Sequence, residues 1–410
     1  MKCLLIHNYY QNSGGEDGVF RAEAEMLRSN GHDVVEYVRC NDEIREYGIW
    51  RRLTLGMRTV WAHDSLSDLR RILAHEKPDV VHMHNTFPLI SPSAYYACRE
   101  AGVPVVQTLH NYRLLCAAAT LYRDGHVCED CLTKSAFHGI RHGCYRDSRI
   151  ATAASEGMVW VHRLLHTWSE RVDKFIALTR FSRQKFTENG IAAHKIVVKP
   201  NALRLEPHYE SNKLGKFVLF VGRLSAEKGL STLLSAWAQL SNRFPLRILG
   251  TGPQRGEIEV VLSQGALSNV RLEGHLSRDA TFAAMKEARM LVFPSEWYEC
   301  FPTTLLESFA SGVPVVAARI GAMTEIIDDG RTGLHFNAGD ADDLAKKILW
   351  AWAHPAEMSA MAEAAYAEYR AKYTSERNYG MLMGIYRSVQ CHRRLMQDRR
   401  ARDGSLASIG

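Results

Sequence analysis

Short apolar runs alternate with longer stretches of helical period along most of the chain. Lys2–His7, Asp33–Val38, Pro78–His84, Pro104–Leu109, Lys174–Leu178 and Lys195–Val198 read as strands. Runs this short and apolar suit a sheet buried on both faces. Between them, Glu16–Asn30, Ser67–His75, Ser91–Ala101 and Phe181–Asn189 have helical composition, and glycines at 31, 102 and 190 stop three of them. Ala151–Arg171 reads as one long helix with Trp and His on one side, a stripe better suited to a core than to a cofactor. A second alternation begins at Phe217. Its strands are Phe217–Val221, Leu246–Leu249, Val270–Leu272, Met290–Phe293 and the segment Gly312–Val316; its helices include Leu230–Leu240, Arg278–Ala288 and Thr303–Ala310. Asp342–Trp352, Pro355–Tyr373 and Ser375–Val389 read as terminal helices, with a basic, frayed tail beyond Cys391. Repeated strand–helix units predict two doubly wound α/β domains. The polar stretch Pro200–Lys216 marks their linker, so the expected domains are residues 1–205 and 206–373, followed by a helix and tail at 374–410.

Composition narrows the class. Hydrophobic residues at 46% and charged residues at 23% exclude a disordered chain and leave enough apolar mass for two cores. Net charge is +6, but the basic residues are dispersed and no nucleic-acid module appears. A pyrophosphate substrate or an anionic membrane surface fits that charge instead. Ile49–Trp61 mixes Trp, Leu and Arg. It reads first as a surface helix packed on its own domain, and second as a helix lying on a membrane. Met1–Ile6 leads straight into a strand with no secretory pattern, and no window reaches the ~18 apolar residues of a membrane span. The expectation is a cytoplasmic protein, with contact to the inner face of the membrane allowed.

The pattern breaks at 115–150, where Cys116, Cys128, Cys131 and Cys144 are spaced C-x11-C-x2-C-x12-C. A long segment with little regular structure needs a staple, and four thiolates complete a tetrahedral zinc site. A structural zinc is therefore one expectation and plain unligated cysteines the other. An iron–sulfur cluster ranks well behind, and His126, His138 or His142 could replace one ligand.

Two constellations carry the chemistry. In Glu299–Glu307 (E-C-F-P-T-T-L-L-E) a loop leaves a strand's carboxyl end and enters a helix. Open α/β sheets bind ligands at that end, and a helix start offers N–H groups to a phosphate. Glu299 and Glu307 can then accept from hydroxyls on either side of that phosphate, which describes a nucleotide sugar. In Gly222–Gly229, Arg223 and Lys228 bracket a turn just past another strand. A planar fork and a point charge together suit two phosphates, and they can stabilise a departing diphosphate without a metal. A solvated turn is the plain alternative for that pair taken alone. His110 ends the Pro104–Leu109 strand, where ligands sit. Gly14 and Gly15 follow the first strand, where a tight turn and close backbone approach to a ligand are both open.

G-R-L-S-A-E-K-G at 222–229, followed by E-C-F-P-T-T-L-L-E-S-F-A-S-G-V-P-V-V from Glu299, resembles the retaining glycosyltransferases of family four, which have the GT-B fold. Gly14-Gly15, His110 and Pro200-Asn201 extend the resemblance over nearly the whole chain. It implies two Rossmann-like domains facing across a cleft, the first binding the acceptor and the second the nucleotide diphosphate sugar, with the last helix returning to the first domain. It implies that Arg223 and Lys228 hold the diphosphate, Glu299 the sugar hydroxyls and Glu307 the ribose. Backbone amides of Phe301, Thr303 and Thr304 would line sugar and phosphates, with His110 by the transferred sugar and Gly15 near phosphate and acceptor. The implied mechanism is front-face transfer with retention, needing no metal or other cofactor, the leaving phosphate helping to deprotonate an acceptor hydroxyl. Three departures stand out. Pro302 stands where many members have Gly and donates no N–H. Asn111 stands where many have Asp, which leaves it without a role. The cysteine insertion resembles a bacterial subset making surface polysaccharides, so a glycan or lipid-linked acceptor is the contextual expectation. An epimerase on the same architecture, and a non-catalytic scaffold, are the rival classes.

Overall fold

The computed structural model describes residues 1–11, 14–203 and 215–407, apart from the side chains of residues 52, 53, 394 and 396–407. The chain divides into two compact units. The first comprises Met1–Ala119, Asp130–Pro200 and Ser375–Gly410; the second comprises Thr120–Glu129 and Asn201–Thr374.

In unit 1, β1 (Lys2–Tyr9), β2 (Asp33–Cys40), β3 (Val80–Asn85) and β4 (Val105–Leu109) belong to one sheet. A separate two-stranded hairpin in unit 2, β5 (Tyr122–Arg123) and β6 (His126–Val127), intervenes before β7 (Lys174–Ala177) and β8 (Ile196–Val198) complete the first sheet. The order is β2-β1-β3-β4-β7-β8, all parallel. Cys3 to Asn8 of β1 are buried without interruption, as a strand covered on both faces must be. The helix Ser375–Ala407 belongs to this unit and inserts Leu382, Met383, Tyr386 and Val389 into its core beside Cys3, Leu5 and Phe20. The return of the last helix to the first domain thus follows from an apolar stripe matched to that core.

Unit 2 repeats the plan with β9 (Phe217–Val221), β10 (Leu246–Leu249), β11 (Val270–Gly274), β12 (Ala288–Phe293), β13 (Val315–Ala318) and β14 (Gly333–Phe336). Their order is β11-β10-β9-β12-β13-β14, again parallel. Trp237 is wholly buried in this core and donates from Nε1 to the Phe244 carbonyl at 3.0 Å, so its one polar atom is satisfied. In each sheet the first strand has its sequence successor on one side and a later strand on the other. β1 and β9 therefore mark the topological switch points, and the loops after them open where α/β sheets hold ligands.

The expected elements differ from the observed ones at three places. Ala151–Arg171 is two helices, Arg149–Leu164 and Thr167–Glu170, because His166 turns into the left-handed region at φ 51°. Its side chains also divide: His162 and Trp168 are buried, but Trp160 faces solvent. Ile49–Trp61 is likewise two short helices, Ile49–Leu53 and Leu55–Val60. The second lies on Arg149–Leu164, where a Cβ on Gly56 would stand 3.4 Å from the Ala154 Cβ. The final helix continues past Cys391 to Ala407 rather than fraying there. Most of the expected linker lies outside the described residues.

Candidate active site

In unit 2 the loop after β9 and the loop after β12 are locked together. Gly229 sits at φ 69° with a virtual Cβ 2.0 Å from the Pro294 carbonyl oxygen, so only glycine fits this approach. Glu296 N–H donates to the Glu227 carbonyl at 2.9 Å, and Thr232 Oγ1 donates to Glu296 Oε1 at 2.5 Å. The β9 loop is braced on its other side by the loop after β10: Leu224 N–H donates to Thr251 O at 2.9 Å, and Gln254 N–H to Leu224 O at 3.0 Å. This framework carries Lys228 to Glu299, with Nζ to Oε1 at 2.5 Å. Ser295 Oγ donates to the same oxygen at 3.0 Å, and the ammonium lies 5.2 Å from the Trp297 ring centroid. Two residues 71 positions apart thus meet because adjacent strands of one sheet end side by side.

Arg223 is exposed and makes no ion pair among the described residues. The helix Thr303–Ala310 begins as expected, with Pro302 as its N-cap residue in extended conformation rather than inside the first turn. Pro302 therefore does not interrupt the helix. The N–H groups of Thr303 and Thr304 belong to the first turn, where amides lack intrahelical acceptors. Phe301 is buried, its ring 5.8 Å from that of Tyr373. Glu307 lies in the second turn, and burial pushes its carboxyl above the usual range, against the pull of Arg278.

In unit 1 the loop after β1 leads into the helix Gly15–Ser29. Gly14 and Gly15 are exposed, neither has positive φ, and a Cβ on either would meet nothing within 4 Å. Backbone strain therefore does not explain the glycines; what they leave is open room at a helix N-terminus. Asp17 accepts from Gly14 N–H at 3.0 Å and pairs with the buried His7 Nε2 at 2.7 Å, which fixes that turn. His110 stands at the end of β4, its Nε2 2.9 Å from His84 Nδ1.

Asn111, left without a role by its sequence position, donates from Nδ2 to Glu16 Oε2 at 3.1 Å. Burial, then the neighbouring Asp17, push the Glu16 carboxyl up to about 7, against hydrogen bonds from Asn111 and Tyr10. A carboxyl titrating there beside the end of β4 belongs among the candidate groups. Its effect on stability has a defined sign. Between its ordinary value near 4.5 and about 7, the folded chain holds a proton that the unfolded chain has released. Stability supplied by that proton is complete below 4.5 and is lost as pH rises through 7. Glu16→Gln should therefore gain stability relative to the parent between pH 5 and 8, by on the order of 1–3 kcal/mol given partial solvent screening. Parallel melting curves over that pH range that never diverge would remove the assignment.

A metal site needs several His, Cys, Asp or Glu side chains brought together. Among the described residues, only Glu23, His82 and His84 form a group of three or more such side chains with ligand atoms mutually within 4.8 Å. Cys116, Cys128, Cys131 and Cys144 do not. Cys128 follows the β5–β6 hairpin and belongs to unit 2, whereas the other three belong to unit 1. Burial, then Glu156 and Cys116, push the Cys131 thiol up to about 12, so it is held as a thiol.

The glutamates and histidines of unit 1 escape a reading of the sequence because their signals are ordinary. His82 and His84 alternate in a strand, Glu23 lies mid-helix and Lys199 follows a strand. The alternation of His82 and His84 is the usable clue, since period two puts both on one face.

Residues 14–202 match the glycosyl transferase 4-like domain model, and residues 204–368 match that of glycosyl transferases group 1. An uncharacterized glycosyltransferase of Methanocaldococcus jannaschii is 30% identical over 177 residues, 43% of this chain and 49% of that protein. A phosphatidyl-myo-inositol mannosyltransferase of Mycobacterium leprae is 27% identical over 293 residues, 69% of this chain and 66% of its own length. The chain thus spans about half of the first relative and just under two-thirds of the second. Among solved structures, Anabaena HepE in complex with UDP superposes with a TM-score of 0.68 at 15% identity, covering 95% of this chain and 100% of HepE.

Proposed function

We propose, from the premise that this chain belongs to the GT-B glycosyltransferase group 1/4 family, that it transfers a sugar from a nucleotide diphosphate to an acceptor hydroxyl with retention of anomeric configuration. The Lys228–Glu299 pair carries the reading. A cation and a carboxylate held together at the carboxyl ends of β9 and β12, beside a helix N-terminus, match a donor with a pyrophosphate between two hydroxylated rings. A bound diphosphate competes with Glu299 for Lys228. Drawing the ammonium onto the phosphates releases Glu299 Oε1 to accept from sugar hydroxyls. Arg223, exposed on the same loop, adds a bidentate partner, and the Thr303 and Thr304 amides add dipolar ones. Glu307 would take the ribose.

These groups meet the charge that grows on the leaving diphosphate, the electrostatic work that a metal does in other transferases. UDP in HepE makes a uridine nucleotide the first donor to try. A glycan or lipid-linked acceptor in surface-polysaccharide synthesis is the setting we favour for unit 1. Contact with a membrane surface is supported by the exposed Trp50, Met57, Trp160 and Leu164, with arginines at 51 and 163, on helices of unit 1. No helix among the described residues is long and apolar enough to cross a membrane.

The test is a thermal-shift screen of UDP-glucose, UDP-galactose, UDP-N-acetylglucosamine and GDP-mannose, followed by product analysis with and without chelator. One donor should raise the melting temperature by mass action. Its sugar should be transferred, or slowly released to water, with chelator present. No shift with any nucleotide, UDP included, would overturn the reading.

A further inference from the structure

We propose that Glu23 is a positioning residue. It acts through His84 to hold the His110 imidazole as the neutral Nε2–H tautomer, leaving Nδ1 as a lone-pair acceptor for a substrate hydroxyl at the carboxyl edge of this sheet. The substrate-facing role of His110 rests on the proposed function; the tautomer does not.

The chain of contacts begins at a buried ion pair. Lys199 Nζ, with 3% of its side chain exposed, lies 3.1 Å from Glu23 Oε2 and 2.9 Å from Asn378 Oδ1. Asn378 belongs to the terminal helix, and its Nδ2 donates to the Pro200 carbonyl at 2.6 Å, which orients its oxygen toward the lysine. The other Glu23 oxygen, Oε1, is 2.8 Å from His82 Nδ1 and 3.2 Å from His84 Nε2. Burial alone would raise the Glu23 carboxyl. Lys199 and the two histidines outweigh it and hold the group well below the usual range, so Glu23 is a carboxylate.

An ionised carboxylate only accepts, and a neutral imidazole has one donor and one acceptor nitrogen. Glu23 Oε1 and His84 Nε2 are both buried without a hydrogen-bond partner among the described residues, so their 3.2 Å contact acts through charge alone; a carboxylate that close repels a nitrogen lone pair and favours the proton on His84 Nε2. Burial first, then His82, lower His84 to about 3, so it is neutral and its Nδ1 is bare. His110 Nε2, 2.9 Å from that bare nitrogen, must donate to it. Burial and the adjacent His84 hold His110 well below its ordinary value as well, so its one proton is spent there and Nδ1 keeps its lone pair. The rings of His84 and His110 lie nearly parallel, 5.1 Å apart and inclined 21°, which restricts rotation of either.

The terminal helix closes the far side. Tyr386 OH is 2.8 Å from His82 Nδ1, while His82 Nε2 meets Thr108 Oγ1 at 2.7 Å on β4, two residues before His110. Stability alone does not call for this assembly, because apolar side chains of similar volume fill such a site at least as well as a buried ion pair. A purely packing role also gives no reason for the network to end on a histidine at the edge of the core, where burial is incomplete.

Nitrogen-15 spectra of the histidines in the full chain at neutral pH test the tautomer directly, with His110→Gln identifying the signals. Expected are a protonated Nε2 and a bare Nδ1 for His110. A Nδ1–H tautomer or an imidazolium overturns the proposal. The second arm is Glu23→Gln combined with Lys199→Met, which removes both buried charges together so that neither is stranded. His110 should then become a mixture of tautomers, and consumption of whichever screened donor the parent uses should fall roughly 10- to 100-fold in kcat with little change in KM. An unchanged His110 spectrum in that variant also overturns it. If the parent consumes no donor at all, the transferase reading fails while the spectra still decide the tautomer.

Discussion

If the proposed sugar transfer holds, Lys228→Ala is expected to lower turnover by ~100-fold or more, the scale on which loss of one transition-state partner is felt. The reason is local. The ammonium is 17% exposed and faces one carboxylate oxygen at 2.5 Å, so it is partly dehydrated and already aimed. Its attraction for a departing diphosphate is stronger than that of a fully solvated lysine. Its removal also leaves the buried Glu299 carboxylate with the neutral Ser295 hydroxyl in place of a cation, and that uncompensated charge repels the same phosphates. The loss should fall mainly on kcat, because the charge it opposes develops as the bond to phosphate breaks. Lys228→Arg should recover part of the rate, since charge is kept but the point geometry is not. Steady-state kinetics with a folded variant, checked by melting, decide the matter. Turnover within about threefold of the parent would mean that the Lys228–Glu299 contact is a structural ion pair only.

Gly229→Ala should destabilise the fold by about 3 kcal/mol or more, a larger loss than a typical single substitution causes. Two separate penalties combine. Alanine at φ 69° costs on the order of 1 kcal/mol. The added Cβ would fall 2.0 Å from the Pro294 oxygen, well inside contact distance, so the loops after β9 and β12 must separate. Separation pulls Lys228 from Glu299, so activity should fall even in the fraction that folds. Denaturant unfolding gives the first effect and donor-induced thermal shift the second. Gly14→Ala is the internal contrast, because its Cβ meets nothing within 4 Å and its φ is −110°. It should fold normally and affect only what binds there.

Much of the architecture is readable from local signals. The helix Thr303–Ala310 has the bounds its composition suggests, because a proline at its start and Ser311-Gly312 at its end punctuate the chain there. The strand–helix alternation predicts both parallel sheets, since short apolar runs bounded by Gly and Pro suit strands buried on both faces. Errors gather where local signals are weak. His166 adopts a left-handed turn that a helical pattern does not announce, so one expected helix is two.

The amino-acid order by itself determined the two α/β units, the placement of Arg223, Lys228, Glu299 and His110 at strand ends, and the family resemblance. These follow from periodicity and from residues close together along the chain. Tertiary structure alone decided that Lys228 pairs with Glu299, that Asn111 holds Glu16, and that Glu23, His84 and His110 stand in line. Those contacts join residues 26 to 95 positions apart. Strand order and helix packing set such distances, and a hydrogen bond depends on a few tenths of an ångström that composition and periodicity leave open.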